Sequence, residues 1–258
     1  MAITKPFDEH IEQYERWFEI NSFAYESELR AVKALLPRKK NGMEIGVGSG
    51  RFAAPLEIRL GVEPSAKMRK AAQRRGVDAI DGVAEDLPFD DSRFDFVLMV
   101  TTICFLDDVE AGIREAYRVI KNGGCLIIGF VDKTSALGQL YLEHKNESVF
   151  YGPATFYSTA EVVGFLEKAG FGRFSFAQTI FRSLAEVRTV EPVRKGYGSG
   201  SFVVVKAVKL HVSPKPGRSR ADKRRLLKND APLSRSNDER TAQVLPNENI
   251  LIIIGAGK

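Results

Sequence analysis

At 258 residues, 44% of them hydrophobic and 28% charged, the chain suits one large domain, or one domain with an appendage, burying a sizeable core. No run approaches the roughly 18 apolar residues of a membrane span, so no membrane partner is expected. The net charge of +5 belongs to the tail: His211 to Lys258 carries ten Lys/Arg against five Asp/Glu, the other 28 of each sign cancel, and the body lacks the basic excess that would attract nucleic acid.

Met1 to Glu12 is polar and carries no apolar signal-peptide core, which makes the cytoplasm the expected address. A pair of helices follows. Ile11, Tyr14, Trp17 and Phe18 share one helical face; Tyr25, Leu29, Val32 and Leu36 share a face on a second helix that Pro37 closes. Residues 1–40 therefore read as a helical cap. Strand-like segments come next at Met43–Ile45, Ile58–Val62, Asp78–Ile80, Phe94–Val100 and Cys125–Val131. Between them lie helical stretches, one from its N-cap Ser65 to Arg75 and one from Asp108 to Ile120, each ended by a glycine-containing turn. Such alternation implies βαβ units, hence an α/β domain with a parallel sheet covered on both faces. Cys104 and Cys125 sit in apolar runs and read as buried free thiols of a reducing compartment. Ser158-Thr-Ala-Glu161 fits a capping box and opens a further helix that ends at Gly170. Phe174, Phe176 and Ile180 then alternate with smaller or polar residues, and Phe202–Val208 is strongly β-forming, so the two runs are expected to pair as a final antiparallel hairpin at the sheet's edge. That completes a body of residues 41–210. Beyond it, residues 211–258 carry prolines at 214, 216, 232 and 246 and a basic cluster at Lys223-Arg224-Arg225, and are expected to be a basic, disordered tail.

The most informative segment is Gly42-Met-Glu-Ile-Gly-Val-Gly-Ser-Gly-Arg51. A strand running into Gly46, Gly48 and Gly50 lets the backbone turn tightly and approach a ligand at the carboxyl end of the first strand, where open α/β sheets bind. Glu63, closing the second strand, can accept hydrogen bonds from both hydroxyls of a ribose, as in dinucleotide enzymes. The glycine spacing is not that of a dinucleotide fingerprint, which wants Gly or Ala where Arg51 stands. Glu44 would also repel a pyrophosphate and attract an ammonium group. No Gly-Lys-Ser/Thr ending makes the loop a P-loop.

Together with Gly61-Val-Glu63-Pro-Ser, Ala84-Glu-Asp-Leu-Pro-Phe89, Phe94-Asp-Phe-Val-Leu-Met-Val100 and Arg118-Val-Ile-Lys-Asn-Gly-Gly124, this segment resembles the successive motifs of class I S-adenosylmethionine-dependent methyltransferases. The nearest likeness is the ubiquinone/menaquinone-biosynthesis-like branch, which methylates small molecules, and it covers roughly Tyr14 to Leu210. The resemblance implies a Rossmann-like fold with a mostly parallel seven-stranded sheet and a final antiparallel strand. It also implies methyl transfer from S-adenosylmethionine to a small-molecule acceptor. On that pattern Gly46, Val47 and Gly48 lie along the methionine part of the cofactor and Glu44 supports its ammonium end. Glu63, followed by Pro64, binds the ribose; Ala84 and Glu85 flank the adenine; Thr101 lies near the methionine carboxylate and the transferring methyl. The short stretch between Gly50 and Glu63 leaves room for one or two helical turns.

No catalytic side chain is assigned, because displacement at a sulfonium can run on positioning and water exclusion alone. His144, Tyr151 and Tyr25 are conceivable bases, each read first as a packing or surface residue. Tyr14, Trp17 and Phe18 could form an aromatic lid, but their spacing is read first as a helix docking on the body. No Cys/His spacing points to a metal site. Two alternatives remain: a nucleotide-dependent oxidoreductase, disfavoured by Arg51 and Glu44, and a non-catalytic cofactor-binding module whose basic tail contacts RNA.

Overall fold

The structure, a computed structural model, describes residues 2–38 and 41–210; the expected tail, 211–258, lies outside the described residues. Eight strands form one sheet in the order β3-β2-β1-β4-β5-β8-β6-β7. They are β1 (Gly42–Ile45), β2 (Leu60–Val62), β3 (Asp78–Ile80), β4 (Phe94–Val100), β5 (Ile120–Val131), β6 (Phe171–Thr179), β7 (Arg194–Lys195) and β8 (Phe202–Lys209). The first five pair in parallel, while β8 runs antiparallel to both β5 and β6. Chain order reverses between β1 and β4, which opens a crevice above their carboxyl ends.

Alternation along the central strands divides the core in two. Leu98, Val100 and Ile127 face helix α3 (Ser22–Leu35), which brings Ala24, Ala31 and Val32. Val97, Met99, Leu126 and Ile128 face α5 (Val109–Val119) and α7 (Thr159–Lys168), which bring Ile113, Ala116, Val162 and Leu166. The helix starts follow the expected caps at Ser65 and Ser158, and Asp108 adds a third. Ser65 accepts from Met68 N–H at 3.2 Å to open α4 (Ala66–Arg74), Asp108 accepts from Ala111 N–H at 2.9 Å, and Ser158 and Glu161 form the capping box.

Four expectations need correction. The sheet has eight strands, not seven, because the exposed pair Arg194–Lys195 adds a short β7 outside β6. The β6–β8 pairing exists, but β8 is interior: Phe202, Val203, Val204 and Val205 are all buried, and a run apolar on both faces belongs inside a sheet. Three helices open the chain where a pair was expected, since α1 (Lys5–Glu9) precedes α2 (Ile11–Ile20) and α3. Its anchor is tertiary: Asp8 accepts from Ser65 Oγ at 2.7 Å and Lys67 N–H at 3.3 Å, at the start of α4. Finally, the segment from Arg51 to Glu57 forms turns, with no helix.

A buried carboxylate ties the end of β5 to two helices. Asp132 Oδ1 accepts from Thr134 N–H (2.7 Å) and Oγ1 (2.6 Å), and Oδ2 accepts from Thr159 N–H (2.9 Å) and Oγ1 (2.5 Å), ahead of α6 (Ala136–Glu143) and α7. Burial opposes its ionisation, yet the bonds from Thr134 and Thr159 hold the carboxyl below the ordinary aspartate range. A group depressed on folding stabilises above its unfolded pKa, about 3.9, and that contribution is lost as pH falls through the folded value. Asp132→Ala is expected to cost about 2–3 kcal/mol, a fall of roughly 5–10 °C in Tm, and to flatten the loss of stability below about pH 4. Thermal scans from pH 7 to 3 on both proteins check both effects.

Candidate functional site

The glycine turn leaving β1 is held open by conformation and crowding together. Gly46 and Gly48 adopt φ of 63° and 53°, where side chains are strained. A Cβ on Gly46 would stand 2.2 Å from Thr102 Cγ2, and one on Gly48 would come within 3.2 Å of the Tyr14 hydroxyl. Thr102 Oγ1 in turn donates to the carbonyls of Gly46 (3.2 Å) and Val100 (3.0 Å), locking the end of β4 to the turn. Next to it Thr101, φ 49°, is a non-glycine residue in the left-handed region, a local strain of the kind that gathers at binding sites.

Two carboxylates lie close to this turn. Glu63 is 7% exposed; its Oε2 accepts from Gly48 N–H and its Oε1 from Ser65 N–H, both at 2.9 Å. Burial raises its pKa although those two backbone bonds oppose the rise. Glu44 is 2% exposed, and its Oε2 has no hydrogen-bond partner among the described residues. Burial pushes its carboxyl well above the ordinary range, and the neighbouring charge of Glu63 adds to this.

Around the turn lie two adjoining cavities. The first, about 750 Å³ including the space open to solvent, is lined by Gly46, Gly48, Glu63, Pro64, Ala84, Glu85 and Thr101, with Ala2 and Ile3 from the segment before α1, Phe7 from α1 and Tyr14 from α2. The second, about 650 Å³, shares Phe7, Tyr14, Thr101 and Phe105 with it, and continues past Trp17, Phe18, Phe52, Phe150 and Tyr151 to Glu28.

Seven of the nine expected residues thus meet on one wall. The other two stand back from it. Val47 packs against Gly61 and donates its N–H to Val62 O at 3.1 Å, while Glu44 lies on the opposite face of β1 from Met43 and Ile45. Of the conceivable bases, Tyr25 donates to Arg51 O at 2.5 Å and lines neither cavity, and His144 pairs with Glu147 at 3.1 Å. Tyr151 does line the second cavity, but burial keeps its hydroxyl far from ionising, as it does for Tyr14. Cys104 is no ready thiolate either, since desolvation pushes its thiol up to about 12.

Helix α2 proves to be both dock and wall. Glu15 Oε2 binds Arg51 Nε at 2.9 Å, the Arg51 terminal nitrogen, and Arg75 at 2.5 Å, while the Arg51 guanidinium lies 5.0 Å over the Phe18 ring. Burial opposes ionisation of Glu15, but the two guanidiniums keep it ionised below the ordinary range. Arg51 therefore stands at the end of the glycine turn as the anchor of α2. Sequence reading missed Phe7, Phe105, Phe150 and Glu28. Only Glu28 left a signal, as an acid at the i+3 position from Tyr25 on the face that carries Leu29 and Val32.

Comparison with known proteins gives the following. A family model described as a methyltransferase domain matches residues 43–128. A Thermotoga maritima crystal structure, described as a SAM-dependent methyltransferase, "possible histamine N-methyltransferase", is 51% identical with a TM-score of 0.78, covering 80% of this chain and 99% of that one. An uncharacterized Methanocaldococcus jannaschii protein, MJ1123, is 45% identical over 79% of this chain and 98% of that protein. The demethylmenaquinone methyltransferase of Chlorobaculum tepidum is 27% identical over 55% of this chain and 65% of its own length.

Proposed function

The chain belongs to the S-adenosylmethionine-dependent methyltransferases, and from that membership we propose that the cavity walled by Gly46, Gly48 and Glu63 holds S-adenosylmethionine while the adjoining one holds a small-molecule acceptor. The observation that carries this is the common wall. Thr101 and Phe105 border both cavities at the carboxyl end of β4, so occupants of the two would meet there without crossing bulk solvent.

The residues present suit the cofactor. Gly46 and Gly48 leave a cradle that a Cβ would fill. A buried oxygen without a partner is costly, and Glu44 Oε2 is one, but Glu44 lines neither cavity, so its support of the ammonium end rests on the family resemblance alone. Each Glu63 oxygen keeps a lone pair beyond its backbone bond, enough to accept from two ribose hydroxyls. Ala84 and Glu85 flank the adenine, Pro64 lies beside the ribose, Thr101 faces the methionine end, and Val47 contributes through its backbone. S-adenosylmethionine, when bound, supplies an activated methyl on a cationic sulfur. The chain's own part is to align acceptor and methyl and to exclude water, which Phe7, Tyr14 and Phe105 do by closing the sides.

Small molecules also stand in the names of two relatives, the Thermotoga protein as a "possible histamine N-methyltransferase" and the Chlorobaculum enzyme as a demethylmenaquinone methyltransferase. Among the described residues no helix is long and apolar enough to cross a membrane, and neither cysteine is disulfide-bonded; the second observation supports a cytoplasmic address. Calorimetric titration is expected to give micromolar binding of S-adenosylmethionine and S-adenosylhomocysteine and no heat with NADH. NADH binding in their place would overturn the assignment of the first cavity.

A further inference from the structure

The second cavity has a composition that the transfer reaction alone does not require. Its walls are aromatic or aliphatic almost throughout, yet the carboxyl of Glu28 lies within it, only 4% exposed. Among the described residues no cation pairs with that carboxyl. Arg51, which lies against Phe18 of the cavity wall, is committed to Glu15. Trp17, on the same wall, holds a buried Nε1–H with no acceptor. The Trp17 N–H is therefore withdrawn from water without an acceptor, and the Glu28 carboxyl is nearly buried without a counter-cation, each of which costs stability. They call for an occupant that donates to a carboxylate and offers an acceptor to an indole N–H.

We propose that the acceptor is a small basic amine, and that Glu28 receives its protonated nitrogen inside the aromatic cavity. The proposal rests on the methyltransferase reading of the paired cavities. An anionic acceptor gains nothing from Glu28 and is repelled once the carboxyl ionises, and a neutral hydroxyl gives it only an uncharged hydrogen bond while it is protonated. An ammonium forms a charge-assisted bond with it and is further favoured by the faces of Trp17, Phe18 and Phe150.

The electrostatics agree with this geometry. Burial alone raises the Glu28 carboxyl to about 8. Tyr141 from α6 and Tyr151 from the segment after α6 interact electrostatically with it, Tyr14 from α2 lines the same cavity, and burial keeps all three neutral. Glu28 is thus the one group facing the cavity, among the described residues, that titrates near neutrality. Below pH 8 a bound ammonium must displace its proton to solvent, so affinity climbs with pH until the carboxyl is ionised.

The test uses the full chain saturated with S-adenosylhomocysteine, titrated by calorimetry between pH 6.5 and 8. The probes are histamine and the matched pair 2-phenylethylamine and 2-phenylethanol, on the parent and on Glu28→Gln. The parent is expected to bind the amines at least tenfold tighter than the alcohol, with affinity rising about tenfold per pH unit up to pH 7.5. Glu28→Gln is expected to lose about thirtyfold in amine affinity and the pH slope, with S-adenosylhomocysteine binding unchanged. Equal binding of amine and alcohol by the parent overturns the proposal, as does a variant that keeps the parental affinity and slope. Because the amine preference and its slope are read on the parent, the result stands even if the variant does not fold. Failure of the parent to bind S-adenosylhomocysteine strikes instead at the reading of the first cavity.

Discussion

Alanine in place of Gly46 is expected to lower stability by about 2–5 kcal/mol and to weaken S-adenosylmethionine binding at least tenfold. Two costs combine. A left-handed residue with a Cβ loses about 1–2 kcal/mol, and φ at Gly46 is 63°. The added methyl also lies 2.2 Å from Thr102 Cγ2 and 2.6 Å from its Oγ1, so Thr102 must swing out and give up its bond to Gly46 O. Forced repacking of this kind costs about 1–3 kcal/mol. Thr101 follows Thr102 in any such movement, so the damage reaches both cavities. Gly76 is the control, with a φ of 82° and nothing within 4 Å of an added Cβ. Gly76→Ala should bear the backbone cost alone, leaving cofactor affinity as it was. Melting curves and titrations on the two variants separate strain from site damage; parental affinity in Gly46→Ala would mean that the turn does not touch the cofactor.

The second large effect is expected at Glu63. Glu63→Ala should weaken S-adenosylmethionine binding by about 1–3 kcal/mol, roughly five- to 150-fold, through the loss of the acceptors for the ribose hydroxyls. The substitution also strands the N–H groups of Gly48 and Ser65, each now bonded at 2.9 Å. The glycine turn and the start of α4 should therefore loosen together. Glu63→Gln keeps one oxygen acceptor at the same volume and should fall between parent and alanine. Calorimetry on the three proteins gives the order directly, and equal affinities in all three would remove Glu63 from the site.

Much of the fold was legible because local signals and tertiary demands agree. Asp78–Ile80 and Phe94–Val100 are strands with those same bounds, and Ser65, Asp108 and Ser158 cap the helices expected of them. The wall proposed to hold the cofactor could be picked out for a related reason: Gly46, Gly48 and Glu63 lie on turns whose chemistry is written within a few residues. The rest depends on contacts distant in sequence. Lys5–Glu9 is too short for periodicity, and its N-cap Thr4 makes no side-chain bond, so α1 is fixed by Asp8 reaching Ser65. Strand β5 starts at Ile120, five residues before its apolar run, because Ile120 pairs with Phe94 across a register shift. Phe7, Phe105 and Phe150 come from three separate segments, and their rings meet only in the folded chain.

Phe7 and Tyr14 close the first cavity and the second at once. On the proposed assignment of the two cavities, any cost of ordering those two rings would be paid by the first ligand to bind and spared the second. Linkage then requires reciprocity: the acceptor tightens the cofactor by the same factor by which the cofactor tightens the acceptor. Departure obeys the same symmetry, so loss of the methylated product loosens the hold on the demethylated cofactor. If the proposed assignment holds, the N-terminal residues would couple the two sites, and titrating each ligand with and without the other should give the same factor.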